Sequence, residues 1–485
     1  MTPTPAVVWF RRDLRLHDHP ALTAAAVRHD RIVPLFVLDP RLLGGRFASP
    51  ARTRFLLGSL RELSATLAEL GAPLVVRVGD PAEVVPAVCA SSGARDVYVS
   101  RDHAPYGRDR DVRVAARLTA AGIEFHPKRG NLVHEPEAVA TQESRSYSVY
   151  SPFRRAWERL ERRLVIPAPE SLVGTDLDPG VIPAFTSDAE PGFAPEVGAP
   201  PDLDPTLLPA PGEAAARGRL AAWLDRRVED YAATRDRLDL ADGTSRLSAD
   251  LHFGLLSANE VVERALGPGD GRRVFVNELV WREFYAHVLF HRPDLRDHAF
   301  RPAFDRLEWS DDPVLIGAWR TGRTGYPIVD AAMRQLAAAG WLPNRARMIV
   351  ATFLTKDLLV DWRVGEAHFM RLLVDGDMAS DNGGWQWSAS TGTDPQPYFR
   401  IFDPVAQGRR HDPDGTYVRR WVPELATVPV RWIHAPWEMP PDVAAPSGLR
   451  LGIDYPERIV DHAEARRRAL AVFGSVRQDA ARRTS

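Results

Sequence analysis

A change of hydrophobic period, split by a stretch without basic residues, is what most constrains this 485-residue chain. Ahead of residue 130, short apolar runs rich in Val and Ile fall at 6–10 (AVVWF), 32–38 (IVPLFVL), 74–78 (LVVRV), 96–100 (DVYVS) and 123–126 (IEFH). Helical patterns separate them. The clearest, 50–71, opens on Pro50 and closes on Gly71, the proline-first, glycine-last order of a helix. Strands alternating with helices predict an α/β domain with a parallel five-stranded sheet over 1–130. From Leu164 to Ala216 there is no Lys or Arg, prolines are dense and nine acidic residues are scattered. Such a stretch is a connector, either draped over the surface by its Leu, Ile and Phe or disordered. After Arg217 the pattern is helical throughout. The expected organisation is an α/β domain at 1–130, a connector at 131–216, an all-α domain at 217–475 and a short tail at 476–485. A chain this long should bury more than one core.

Composition excludes several classes. Hydrophobic content of 45% and charged content of 26% are ordinary for a soluble globular chain. The net charge is −2, yet Lys128 and Lys356 are the only lysines, so nearly all positive charge is arginine. Coding-sequence bias accounts for that, but arginine also grips phosphates bidentately, and a nucleic-acid partner stays open. Cys89 stands alone, which excludes intrachain disulfides, cysteine zinc sites and four-cysteine iron–sulfur clusters; no metal is expected. The N-terminus lacks a basic region leading an apolar core, and no run reaches 18 apolar residues, which reads as a cytoplasmic protein with no membrane partner. The first strand runs into Arg11-Arg12-Asp13 and not into Gly-x-Gly-x-x-Gly, so no Rossmann-type dinucleotide grip is expected there.

Chemistry concentrates in the second half. Asp375 to Arg400 (DGDMASDNGGWQWSASTGTDPQPYFR) holds Asp375, Asp377 and Asp381, then Gly383-Gly384, then Trp385 and Trp387 around Gln386. The carboxylates read as a polar pocket wall and the glycines as a place where backbone comes close to a flat ligand. On an extended segment the two indoles share a face; on a helix they diverge by about 200°. A core loop with two buried tryptophans is the plainer reading. Along 272–291, a long apolar helix, Glu278, Trp281, Arg282 and Tyr285 fall on one face at i, i+3, i+4 and i+7. Glu278 and Arg282 are either a solvated i,i+4 pair or, with Trp281 beside them, a wall for a planar base. A helix at 326–339 stops at Gly340, and Pro343 opens another running to about Trp362. On it Asn344 and Met348 share a face flanked by Arg345 and Arg347, which either suit phosphates or are solvated. Tyr231 and Arg235, at i+4, are equally ambiguous. Gly243-Thr-Ser-Arg-Leu-Ser248 offers hydroxyls and backbone N–H groups to an anion such as a pyrophosphate.

Together these segments resemble the DNA photolyase/cryptochrome family, class I cyclobutane pyrimidine dimer photolyases above all. GTSRLS, NELVWREFY, TGYPIVDAAMRQL, NRARMIVATFLTKDLLVDW, DGDMASDNGGWQW and TGTDPQPYFRIFDP follow in the family's order. WFRRDLRLHDHPAL resembles its opening and LGIDYPERIVDHAEAR its last helix, so the likeness spans about residues 6–470. The resemblance implies an α/β antenna domain joined by a long connector to an all-α domain that holds FAD. It places FAD contacts on Tyr231, Thr244, Ser245, Arg246, Leu247, Ser248, Arg282, Asp375, Gly376 and Asp377. The substrate it implies is a pyrimidine dimer in damaged DNA, flipped over the flavin against Glu278, Trp281, Asn344, Arg345, Met348 and Trp387, with Arg235 on the strand. Trp309, Trp362 and Trp385 match the family's electron relay. The activity implied is that of a light-driven carbon–carbon lyase acting as a monomer, with no nucleophilic side chain.

Finer choices follow from the same resemblance. Enzymes for (6-4) photoproducts carry histidines at the pocket, whereas this chain has Met348, and Glu278 where those enzymes tend to have Gln. Cyclobutane dimers are therefore the expected lesion, with a (6-4) photolyase or a cryptochrome-type photoreceptor as alternatives. RDHAPYGRDRD with Pro50-Ala51-Arg52 resembles members that bind 8-hydroxy-5-deazaflavin, with Arg52 and Asp102 as contacts. Ala48, where that pattern has a larger apolar residue, keeps methenyltetrahydrofolate as the alternative antenna. Asp381 falls where photolyases usually have an Asn facing flavin N5 and plant cryptochromes an Asp. An ionised carboxylate can only accept there. The expectation is a protonated Asp381 able to donate to N5, against a local shift that gives Asn382 the role.

Overall fold

The computed structural model describes residues 4–185 and 203–484. Five strands, β1 (Ala6–Phe10), β2 (Ile32–Leu38), β3 (Val75–Val78), β4 (Asp96–Ser100) and β5 (Glu124–Lys128), form a parallel sheet in the order β3-β2-β1-β4-β5. Trp9 pairs with Leu35 and Val7 with Val97. Every residue of β1 and β2 is buried, as expected when helices cover both faces of a parallel sheet. Side chains alternate between faces: Val7, Trp9, Val33 and Leu35 pack into one core, and Ala6, Val8, Phe10 and Phe36 into another. That second core continues through Leu220, Val280, Phe284 and Val374 of the helical half. The α/β layer and the helical layer thus share a core.

Helix α1 (Pro50–Glu69) covers one sheet face, and α2 (Tyr150–Arg159) lies within the stretch read as connector. The next segment drapes over the sheet by backbone bonds, Leu172 N to Leu70 O and Ile32 N to Val173 O at 2.8 Å, and Val76 N to Pro179 O at 2.7 Å. The connector reading for 186–202 lies outside the described residues.

The helical half is built on α3 (Asp270–His291), α4 (Pro327–Ala339), α5 (Asn344–Thr352), α6 (Trp362–Leu372), α7 (Met378–Ala389) and α8 (His462–Thr484). Two local expectations are corrected. The helix read from Pro343 to about Trp362 is broken: α5 passes into a π turn at Phe353–Asp357, and Leu359 takes φ +53°. Asp361 then caps α6 by accepting from Arg363 N at 2.9 Å. The unbroken apolar run hid this restart. The stretch after Asp375 is not a core loop either, because Asp377 caps α7 through Ser380 N at 3.0 Å. Trp385 and Trp387 therefore diverge. Helix α8 continues through the segment read as a tail.

Candidate functional site

One cleft of about 520 Å³ opens among α3, α5, α7 and the 244–248 turn. It gathers residues that are far apart in sequence. Tyr231, Thr244, Ser245, Arg246, Leu247, Ser248, Arg282, Asp375 and Asp377 line it, and so do Arg235, Glu278, Trp281, Asn344, Arg345, Met348, Asp381, Trp385 and Trp387. Gly376 does not; a side chain there would run into Arg52 and Met370.

The inner wall is α7. Gly383 packs under the Tyr285 ring, where a Cβ would overlap it, while a Cβ on Gly384 would meet nothing. Gly384 therefore leaves bare backbone facing the cleft, as close approach of a planar ring requires. Asp375 is fixed by Arg347 at 2.8 Å. Asp377 is bound at 2.5 Å by Arg12, which reaches over from the end of β1. Burial alone would raise the Asp377 carboxyl, but Arg12, His252 and Arg282 together hold it below the usual carboxylate range. Asp381 differs. It is buried, its Oδ2 has no hydrogen-bond partner, and burial followed by the nearby Glu366 charge pushes it well above the usual range. Glu366, bonded to Asn382 Nδ2 at 2.9 Å, is itself raised by burial to about 7. Asn382 is thus engaged away from the cleft, with Glu366 and Leu295 O, and the local-shift alternative loses its donor.

The outer wall is α3. Glu278 does not pair with Arg282, as the i,i+4 spacing offered, but with Arg235 at 2.6 Å. Burial raises its carboxyl and Arg235 works against that. Arg282 donates long bonds to Asn131 O (3.3 Å) and Leu251 O (3.4 Å) and forms no ion pair among the described residues. Burial lowers this guanidinium and the nearby Asp377 charge works against that, so a cation without a bonded carboxylate faces the cleft and suits an anionic ligand. Arg345 is held by Asp236 at 2.6 Å. Trp341, which sequence reasoning passed over, lies under the Arg246 guanidinium at 4.5 Å and donates to Ser248 Oγ at 3.2 Å. Its only signal was an isolated aromatic between Gly340 and Pro343.

The three tryptophans read as a relay stand on neighbouring segments. Trp385 packs on Gly365, where a Cβ would overlap its ring, and meets Phe369 at 5.0 Å and 82°. Trp362 lies one turn ahead of Gly365 on the same face of α6. Ser310 N bonds Leu359 O at 2.7 Å and Ser310 bridges Val360, which sets Trp309 beside the start of α6. Trp385 (3% exposed) and Trp362 (1%) are buried, while Trp309 is half-buried. Of the three, only Trp385 lines the cleft.

The two antenna candidates are placed otherwise. Arg52 donates to Leu373 O at 2.9 Å and to Phe47 O, a contact between the two layers. Asp102 pairs with Arg110 at 3.2 Å and lines a small cavity of about 40 Å³ that shares Leu251, His252, Arg282 and Asp377 with the cleft.

Comparison with known proteins gives the family. Residues 6–171 match the DNA photolyase family model and residues 275–475 that of the FAD binding domain of DNA photolyase. A deoxyribodipyrimidine photo-lyase of Synechococcus sp. is 39% identical, covering 98% of this chain and 97% of its own. A class III photolyase from Agrobacterium tumefaciens superimposes with TM-score 0.90 at 36% identity, over 99% of this chain and 98% of that one. A cryptochrome from Synechocystis sp. does so with TM-score 0.86 at 30% identity, over 97% and 100%. With a relative 39% identical over nearly the whole chain and two family models that together match most of it, the chain belongs to the DNA photolyase/cryptochrome family.

Proposed function

We propose that this chain repairs cyclobutane pyrimidine dimers in damaged DNA as a class I photolyase, acting as a monomer with FAD in the 520 Å³ cleft. One observation supports this most: Glu278, Trp281, Asn344, Met348 and Trp387 line the same cleft as the turn 244–248, Arg282 and Asp377. A flipped base and a flavin would share one volume. The hydroxyls and N–H groups of Thr244 to Ser248, with Arg282, would hold the anionic part of the cofactor, and Gly384 would admit its ring. The bound cofactor, once reduced, supplies the photoexcited electron.

The protein's share is placement and electrostatics. Trp281 and Trp387 offer apolar faces for a flipped pyrimidine. Glu278, oriented by Arg235, meets its polar edge and steadies charge arriving on it. One electron entering the dimer lets its two cyclobutane carbon–carbon bonds break and then leaves again, so the reaction is redox-neutral and needs no nucleophile. Asp381, pushed well above the usual carboxylate range by burial and with Oδ2 free of any partner, would as the neutral acid spare the reduced ring a repelling charge and hold a proton for N5.

Two readings compete. The Synechocystis cryptochrome likeness and the acid at position 381 favour a photoreceptor; Met348 in the cleft speaks against a (6-4) enzyme. Photoreduced protein mixed with dimer-containing oligonucleotide under blue light separates them. Light-dependent loss of cyclobutane dimers is expected. Binding of the oligonucleotide without loss would leave a receptor or a plain binding protein.

A further inference from the structure

Trp281, read above as a platform for the lesion, shows one face to the cleft. Its other face is covered. Tyr150, the first residue of α2, lies against the indole with ring centroids 3.7 Å apart and planes 4° from parallel. The tyrosine is buried and does not line the cleft. Its hydroxyl donates to Asn277 O at 3.0 Å, one turn ahead of Trp281 on α3, so ring and hydroxyl both grip the helix they support. Arg154, one turn along α2, adds a bond to Asn277 Oδ1 at 3.2 Å.

Tyr150 is in turn anchored from elsewhere. Its backbone N–H donates to Asp394 Oδ2 at 3.0 Å, and Thr393 Oγ1 donates to the neighbouring Ser148 O. Asp394 takes φ +41°, which is costly for a residue with a side chain and persists only where surroundings demand it. It sits in the loop that leaves α7, the helix of Trp385 and Trp387. Both indole-bearing walls are therefore tied to the start of α2.

We propose that Tyr150 is a positioning residue for lesion recognition: stacked behind Trp281 and capped by Asp394, it holds that indole flat toward the flipped base. The proposal rests on the reading of Trp281 as lesion platform. An indole free to turn in the wall would lose that freedom on binding, at a cost in affinity. A parallel aromatic neighbour removes the freedom beforehand, and such pairs correspond to roughly two- to tenfold in an equilibrium constant.

The test is equilibrium binding to a dimer-containing and a matched undamaged oligonucleotide, with flavin absorbance as the check on an intact cleft. Tyr150→Leu should lose roughly fivefold in lesion affinity and keep its flavin and its affinity for undamaged DNA. Tyr150→Phe should recover the loss, because the ring survives, and Asp394→Ala should fall between the two. If Tyr150→Leu discriminates like the parent while Trp281→Ala does not, the proposal is overturned and the platform reading stands. If Trp281→Ala also discriminates normally, the platform reading fails and takes the proposal with it. Should Tyr150→Leu lose flavin, Asp394→Ala against Tyr150→Phe decides, and equal lesion-to-undamaged ratios in both would overturn the proposal.

Discussion

The two ends of the cleft treat a buried carboxyl in opposite ways. At the outer wall Glu278 has a guanidinium at 2.6 Å, so its charge is matched before any substrate arrives. At the inner wall Asp381 has one oxygen without a partner and Glu366 and Asp375 as its acidic neighbours. Burial raises both carboxyls and nearby acids add to it at each, Asp236 at Glu278 and Glu366 and Asp375 at Asp381, but only Glu278 has a guanidinium bonded to it. The outer end is thus built to present charge and the inner end to withhold it. A reduced flavin is itself an anion, and a charged neighbour there would oppose its reduction. On the proposed reading, a lesion that receives an electron would meet a balanced pair instead.

Variants at each end should separate their jobs. The largest effect is expected on the relay: Trp309→Phe should abolish photoreduction of oxidised flavin, followed by visible absorption, and leave repair intact once the flavin is reduced chemically. Normal photoreduction would overturn the relay reading. Glu278→Ala comes next. It should keep its flavin and lower repair per absorbed photon at saturating substrate, because the group that would steady charge arriving on the lesion is gone; an unchanged yield would take Glu278 out of the mechanism.

Glu366 tests the inner end by stability. Its carboxyl keeps a proton to about pH 7 in the fold but only to about 4.3 in the unfolded chain. The native state therefore holds more protons in that window, and stability falls as pH rises through it. Glu366→Gln should flatten the fall of Tm between roughly pH 4.5 and 7, a difference on the order of 2–3 kcal/mol. Parallel Tm curves would mean that Glu366 ionises freely. The smallest effect is expected at Arg345. DNA binding should weaken with salt, but Arg345 already pairs with Asp236, so Arg345→Ala should lower the log–log salt slope by less than about one. A drop of a full unit or more would show the pair opening to a phosphate.

The sheet and the long helices were legible because their signals are local: Val- and Ile-rich runs, Pro at helix starts, Gly at their ends. The cleft was legible through motif order, and Glu278, Trp281, Asn344, Met348 and Trp387 do meet there. Pairings across elements were not. Nothing in the sequence says that Glu278 turns from Arg282 to Arg235, or that Arg12 crosses from β1 to Asp377. The break at Leu359 was hidden because a positive φ on a leucine is set by tertiary packing, not by propensity. Arg52 and Asp102 were read as pigment contacts from a local motif, and their side chains are engaged with Leu373 O and Arg110.

The protonation of Asp381 carries the contrast between the two ends, and one measurement reaches it directly. Infrared difference spectra taken on flavin reduction, in parent and Asp381→Asn, report the carbonyl stretch of a protonated carboxylic acid. The parent should show that band perturbed on reduction, the variant should lack it, and the pH dependence of the flavin's own protonation should differ between them. The same difference spectrum and the same pH profile in both proteins would contradict a neutral, proton-holding Asp381.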